Sequence, residues 1–429
     1  MPNVIRMKVL LQQVIINDPR SPFHSLQKDI LIINGVISRI ADRIEIEEAQ
    51  VISENGLTIS PGWVDTFAHF NDPGAEYRET IESGAAAAAA GGFTTVFVIP
   101  NTQPAIDSKS LVEYITAKSA KLPVSIRPIG AVSRQLEGKD LAEMYDMKAS
   151  GAVAFSDGLN PIQSSGLMVK ALQYVKAFDG VVIQVPDDTS IANHGLMHEG
   201  IVSTRLGLQG KPMIAEELIV ARDIKLARYT DSHIHFTGVS SPKSIEYIQR
   251  AKDSGLKVTC SVTPYHLSFC DEDLLDYDTN LKVNPPLRSR QDMLALREAV
   301  QKGQVDCIST HHQGHNYDAK ILEFEYAKYG MIGLESCFAA IQTVIPGLSD
   351  GQLTALFSLN ARKIFHLPEA LIAEGQPAEI SLYLPGEETV FTKEQVKGKC
   401  SNSPFLGKTL TGKVFGTISH QHLILNKAV

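Results

Sequence analysis

Between residues 59 and 310 the chain repeats one pattern, a short apolar run followed by a helix-length polar or alanine-rich stretch. Eight such runs can be read: TISPGWVDTF, TTVFVIP, VSIRPIG, AVAF, GVVIQV, HIHFTGV, KVTCSV and VDCIST. Most are separated by a segment of helical periodicity, such as YRETIESGAAAAAAG or SPKSIEYIQRAKDSG. Strands that are apolar throughout are buried on both faces, the condition of a parallel sheet covered by helices. Eight such units close into a (β/α)8 TIM barrel, which needs roughly 250 residues. The chain has 429, so a smaller second domain is expected. Residues 1–58 read as short alternating strands with a turn at Asn34-Gly35, and the tail (GQPAEISLYL, KVFGTIS) returns to that texture. The expected layout is a barrel over 59–368 and a small β-sandwich domain made jointly by 1–58 and 369–429.

Charge and cysteine content narrow the function. Forty Lys and Arg against 48 Asp and Glu give a formal charge of −8, and no basic cluster stands out, which argues against a nucleic-acid partner. No apolar run reaches the ~18 residues of a membrane span. The opening residues lack the charged, apolar and small-residue succession of a signal peptide. Five cysteines without C-x-x-C spacing point away from a disulfide framework or zinc knuckle. A cytoplasmic protein is expected, and a homo-oligomer.

In a barrel of this kind chemistry gathers at the C-terminal ends of the strands. Those ends carry His69, Asn101, Asp157, Gln184, Gly238, and finally His311, His312 and His315. Adjacent strand residues point to opposite faces, so at most one of His311 and His312 is expected to face a site. His233 and His235 share a face but lie in a strand body, where packing is the simpler role. The alanine run 85–90 reads as a helix packed tightly on the barrel, stopped by Gly91-Gly92.

The motifs, in order, resemble those of bacterial dihydroorotases of the amidohydrolase superfamily. PGWVDTFAHFNDPG resembles their D-x-H-x-H opening, and GGFTTVFVIPNTQP their second-strand signature ending in P-N-T-x-P. FSDG, TPYHL, KVNPPLRS, ISTHHQGH, GLES and NSPFLGKTLTGKV follow in the family's sequence from about residue 30 to 420. The resemblance implies an amidohydrolase-type barrel. It also implies a reaction, the interconversion of carbamoyl-aspartate and dihydroorotate in pyrimidine biosynthesis, with one or two zinc ions. A bound metal serves such hydrolysis by lowering the pKa of water from 15.7 to about 7.

Position by position the chain departs from that pattern. The first histidine of the H-x-H pair is Phe67, while the second is kept as His69. The substrate-binding arginine falls on Asn71, the strand-five histidine on Gln184 and the strand-six histidine on Gly238. F-S-D-D-G is shortened to FSDG, leaving Asp157, and His311 occupies the position of the catalytic carboxylate base. Phenyl and glycine offer no ligand and a neutral amide is a poor one for zinc. Two alternatives stay open at this point: no metal at all, or one zinc on His69, Asp157 and His311. Asn101, Asn284 and His315 match the family's substrate-binding positions, although Asn101 and Asn284 also suit loop-stabilising roles beside prolines.

Three functions follow. The first is a non-catalytic homologue, a pseudoenzyme acting as structural partner of aspartate carbamoyltransferase, as the resemblance implies for inactive paralogues. The second is an active cyclic-amide hydrolase on a rebuilt mononuclear zinc site. The third is a protein that binds a small pyrimidine intermediate without converting it.

Overall fold

The structure is a computed structural model that describes residues 7–192 and 194–426. Its centre is a parallel barrel of eight strands: β1 (Trp63–His69), β2 (Phe93–Val98), β3 (Ser125–Gly130), β4 (Ala154–Phe155), β5 (Val181–Gln184), β6 (His233–Phe236), β7 (Val258–Val262) and β8. β8 comes in two pieces, Cys307–Ile308 and His312–Gln313. The first piece pairs with β7 (Ser261 with Cys307) and the second with β1 (Ala68 with His312), so the interrupted strand closes the ring. Asp65 secures that closure from β1, accepting the backbone N–H and the hydroxyl of Thr310, both at 2.7 Å. Each of the eight strands overlaps one of the apolar runs of the sequence, although β1 extends past its run to His69, β2 begins one residue early at Phe93, and the second piece of β8 lies beyond VDCIST. A pair not foreseen there, Met197–His198 with Gly210–Lys211, lies in the loop between β5 and β6.

Helix boundaries follow capping chemistry. Ile81–Ala90 starts on a capping box between Thr80 and Ser83, and Arg290–Gln301 on one between Ser289 and Asp292. Pro242–Asp253 starts with proline in its first turn behind the Ser241 cap. The alanine-rich helix buries Ala85 and Ala87 to Ala90 against the strands. There Gly84 lies flat on Phe70; a Cβ would come within 2.6 Å of the ring. Gly91 caps its end and Gly92 turns the chain away in the left-handed region.

The terminal segments form the β-sandwich domain. Seven of its eight strands, among them Lys8–Ile16, Gln27–Ile33, Thr58–Pro61, Ile380–Val390 and Thr409–Ser419, hydrogen-bond in one connected path, and the eighth, Gln50–Ser53, pairs off that path with Lys8–Ile16, around an apolar core of their own. Trp63, the first residue of β1, joins the two domains. It packs among Phe338, Phe357 and Tyr383, and its indole N–H donates to Ser60 at 2.8 Å. Arg362 is a second clamp, donating to Glu379 at 2.5 Å and to the Gly62 carbonyl at 2.9 Å. Among the described residues no helix is long and apolar enough to cross a membrane. All five cysteines are free and buried.

Candidate functional site

A cavity of about 320 Å³ opens at the C-terminal ends of the strands. Phe67 and His69 come from β1, Asn284 from the loop beyond β7, and His311, His312, Gln313 and His315 from β8 and its loop. Arg78 enters from the loop after β1, and Lys328, Tyr329 and Gly330 from the loop after β8. None of the lining residues is a carboxylate.

The position at which the family pattern places metal is filled by packed rings. Phe67 belongs to the apolar interior of the barrel, with Val64, Phe97 and Ile183. The imidazole of His311 stacks on it, ring centres 4.4 Å apart and planes 29° from parallel. Nε2 of His311 is 2.8 Å from the Thr237 hydroxyl. On the side of Gly238 the ring occupies the very space of a missing side chain, since a Cβ there would lie 2.6 Å from its Cε1. Glycine at 238 is therefore what admits the ring, and it also carries φ +69°. Burial holds His311 down to about 3, so the imidazole is neutral.

The residues singled out from sequence are arranged as follows. His69 is buried, with Nε2 donating to the Asn101 carbonyl at 2.8 Å, and burial lowers it to about 4. Asp157 turns away from the cavity. Its carboxylate accepts the N–H groups of Val132 and Ser133 at 3.0 and 2.8 Å and the Ser133 hydroxyl. Burial raises its pKa, against those bonds. His69 and His311 line the cavity, while Asp157 does not. Among the described residues no three His, Cys, Asp or Glu side chains are gathered so as to hold a metal ion. The donor set His69, Asp157 and His311 thus does not fit zinc: the carboxylate is committed to a loop and the imidazole of His311 to Thr237. Gln184 is no substitute, because its amide bonds both ways to the backbone of Ile162.

Of the residues matched to substrate binding, Asn284 and His315 line the cavity and Asn101 does not. Asn101 staples the turn after β4, accepting from Leu159 N–H at 3.0 Å, with Gly158 leaving room for its amide. Asn284 accepts from Lys211, which also pairs with Asp187 at 2.6 Å. His315 donates from Nε2 to the Tyr329 carbonyl at 2.7 Å. His266 is held inside the wall between Thr263 and the Pro285 carbonyl, and His235 bonds Thr259 and Ser261 within the barrel.

As the alternation of a strand leads one to expect, the two histidine side chains have different surroundings: His311 meets Phe67 and Thr237, while His312 is fully buried against Phe70 and accepts the Gly333 N–H at 3.2 Å. His311 itself has φ +46°, at the break between the two pieces of β8. His312 lies 3.6 Å from the buried Glu79. Burial presses His312 toward neutrality, but Glu79, with Glu335 and Asp65, outweighs it and raises its pKa. Arg78, Lys328 and Tyr329 were not foreseen; they lie in loops, where no strand-end position or spacing marks them.

Residues 56–244 match the family model described as "Dihydro-orotase-like". The chain is 39% identical over 423 residues to the dihydroorotase of Syntrophus aciditrophicus (strain SB), covering 97% of this chain and 99% of that protein. It is 40% identical over 416 residues to the dihydroorotase of Acetivibrio thermocellus, covering 96% and 97%. Among solved structures, the L-hydantoinase (dihydropyrimidinase) from Arthrobacter aurescens superposes with a TM-score of 0.85 at 22% identity, over 99% of this chain and 97% of that one. The dihydropyrimidinase from Brevibacillus agri NCHU1002 gives 0.83 at 19%, over 97% and 95%. These two establish the amidohydrolase fold, and the near-full-length relatives establish more: the chain belongs to the dihydroorotase family.

Proposed function

We propose that this chain is a non-catalytic dihydroorotase homologue, a pseudoenzyme that serves pyrimidine biosynthesis through what it binds rather than through hydrolysis. The observation that carries this reading is the stack of Phe67 on His311, locked by Thr237 and admitted by Gly238. A benzyl group, a neutral imidazole and a bare backbone occupy the strand ends at which hydrolysis calls for metal-bound water and a carboxylate. Aspartate carbamoyltransferase is the partner that the family resemblance suggests, and a cytoplasmic location accords with it.

A single-zinc hydrolase is the competing reading. One observation favours it: Nδ1 of His69 is buried without a partner. It requires Asp157 to abandon Ser133 and His311 to abandon Thr237. Assay of the purified protein with dihydroorotate and carbamoyl-aspartate, with and without added zinc, separates the two. The proposal expects no turnover in either condition, and zinc-dependent turnover defeats it. Co-purification of added aspartate carbamoyltransferase with the full chain, measured by gel filtration, tests the partnership; separate elution at micromolar concentration ends that part of the reading.

A further inference from the structure

A second cavity, of about 520 Å³, is walled by the loop after β8, by residues 279–280 and by residues 393–402 of the C-terminal segment. It shares only His315 with the cavity at the strand ends. Lys320, Lys393 and Lys399 line it, and no Asp or Glu does. One sign of charge is thus gathered in a concave surface, on a chain whose net charge is −8. Lys320 is 7% exposed, and its ammonium donates to the Thr279 and Lys328 carbonyls at 2.8 and 2.7 Å. Lys282 is held beside it in the same way, 2% exposed and donating to the carbonyls of Phe324 and Glu325 at 2.6 and 2.9 Å. Among the described residues no carboxylate oxygen comes within 4.0 Å of either ammonium, nor of Lys393 or Lys399. Asp278 and Glu325 act on the buried pair only from beyond that distance. Burial, with Lys282 adding to it, brings Lys320 down to about 7. Cations buried without a counter-ion cost stability, and an anion in the cavity offsets that cost.

Neutral groups complete the wall. Asn280, Asn316 and Ser401 line it with side chains that make no hydrogen bond among the described residues. Tyr77 and Tyr317 line it as well, 63% and 73% exposed. We propose that this second cavity is a binding site for a small oligophosphate, whose charges the three lysines take and whose remaining oxygens the neutral donors take. Lysine suits that role, because its ammonium is a compact point charge that makes no planar demand on its partner. The volume admits a whole nucleotide, and the two tyrosines offer rings on which a base stacks. A free oligophosphate and a nucleotide are therefore two sources of the same chemistry. Nothing in this site depends on whether the strand-end cavity is catalytic.

The test is calorimetric titration of the full chain at about 0.15 M salt, which screens loose surface attraction. The probes are tripolyphosphate, ATP and UTP, with adenosine and inorganic phosphate as controls. At least one oligophosphate is expected to bind roughly tenfold or more tightly than both controls. Tighter binding of a nucleotide than of tripolyphosphate identifies the nucleotide as the source, and the reverse identifies a free oligophosphate. Lys393→Met/Lys399→Met, at two exposed positions, is expected to weaken that binding roughly tenfold or more. Lys320→Met, once circular dichroism shows it folded, is expected to do the same. Lys302→Met, at an exposed lysine paired with Glu298, is expected to leave it unchanged. Three results overturn the inference: no binding of any oligophosphate at millimolar concentration, parental affinity in the folded double variant, or an equal loss in Lys302→Met.

Discussion

Gly238→Ala probes the filled strand end directly. The left-handed backbone at φ +69° costs an alanine about 1–2 kcal/mol. Its Cβ, 2.6 Å from His311 Cε1, also forces the imidazole away. That gives up the bond to Thr237, about 1 kcal/mol, and the stack on Phe67, about 1 kcal/mol. The expected loss in unfolding free energy, read from urea titrations, is about 3 kcal/mol. The diagnostic is the double variant. With His311→Ala in place the new methyl meets no ring, so only the backbone strain is added to the cost of losing the imidazole. The two single losses should therefore exceed the loss in Gly238→Ala/His311→Ala by about 2 kcal/mol. Additivity within about 0.5 kcal/mol, or a Gly238→Ala loss below about 1 kcal/mol, refutes the claim that His311 occupies the space of that missing side chain.

Phe67→His restores the H-x-H pair in sequence but not in function: no dihydroorotate turnover is expected in zinc-containing buffer, since Asp157 stays bonded to Ser133, and measurable turnover contradicts this. The pH dependence of stability carries a second signature. The folded pKa of His311, about 3, lies below the ordinary 6.5, so the unfolded chain binds a proton that the folded chain refuses. The resulting stability is complete above pH 6.5 and is lost as pH falls from there toward 3. His311→Asn should make the slope of unfolding free energy against pH shallower by up to about 1.4 kcal/mol per unit in that window; an unchanged slope argues that the imidazole is not buried neutral. Arg362→Ala leaves the Glu379 carboxylate without its guanidinium, held only by the hydroxyls of Thr94 and Thr95, and should cost about 3 kcal/mol in urea unfolding, while a loss under about 1 kcal/mol argues against Arg362 as a clamp between the domains.

The barrel was legible because its strands are mostly buried on both faces and so read as largely apolar runs. The pairing of the termini was legible from the alternation that returns in GQPAEISLYL and KVFGTIS. The break in β8 was not: it depends on a left-handed backbone at a histidine, a residue type that does not announce it. Nor was the fate of Asp157. FSDG shows a carboxylate at a strand end, but only the fold shows that Ser133 and the 132–133 backbone claim both its oxygens. Met197–His198 and Gly210–Lys211 are too short for any periodicity to mark. Phe67 and Gly238 were visible as losses in the sequence; that they cooperate with His311 to fill one space could be read only from three-dimensional packing. Arg78 escaped notice for a related reason, since a loop arginine finds its cavity through the path of the chain.

The most direct measurement is a crystal grown in zinc-containing solution, with anomalous difference density collected at the zinc edge. The account predicts no peak at the strand ends and a His311 ring lying flat on Phe67. A well-occupied peak about 2.0–2.2 Å from a nitrogen of His69 and an oxygen of Asp157 contradicts it.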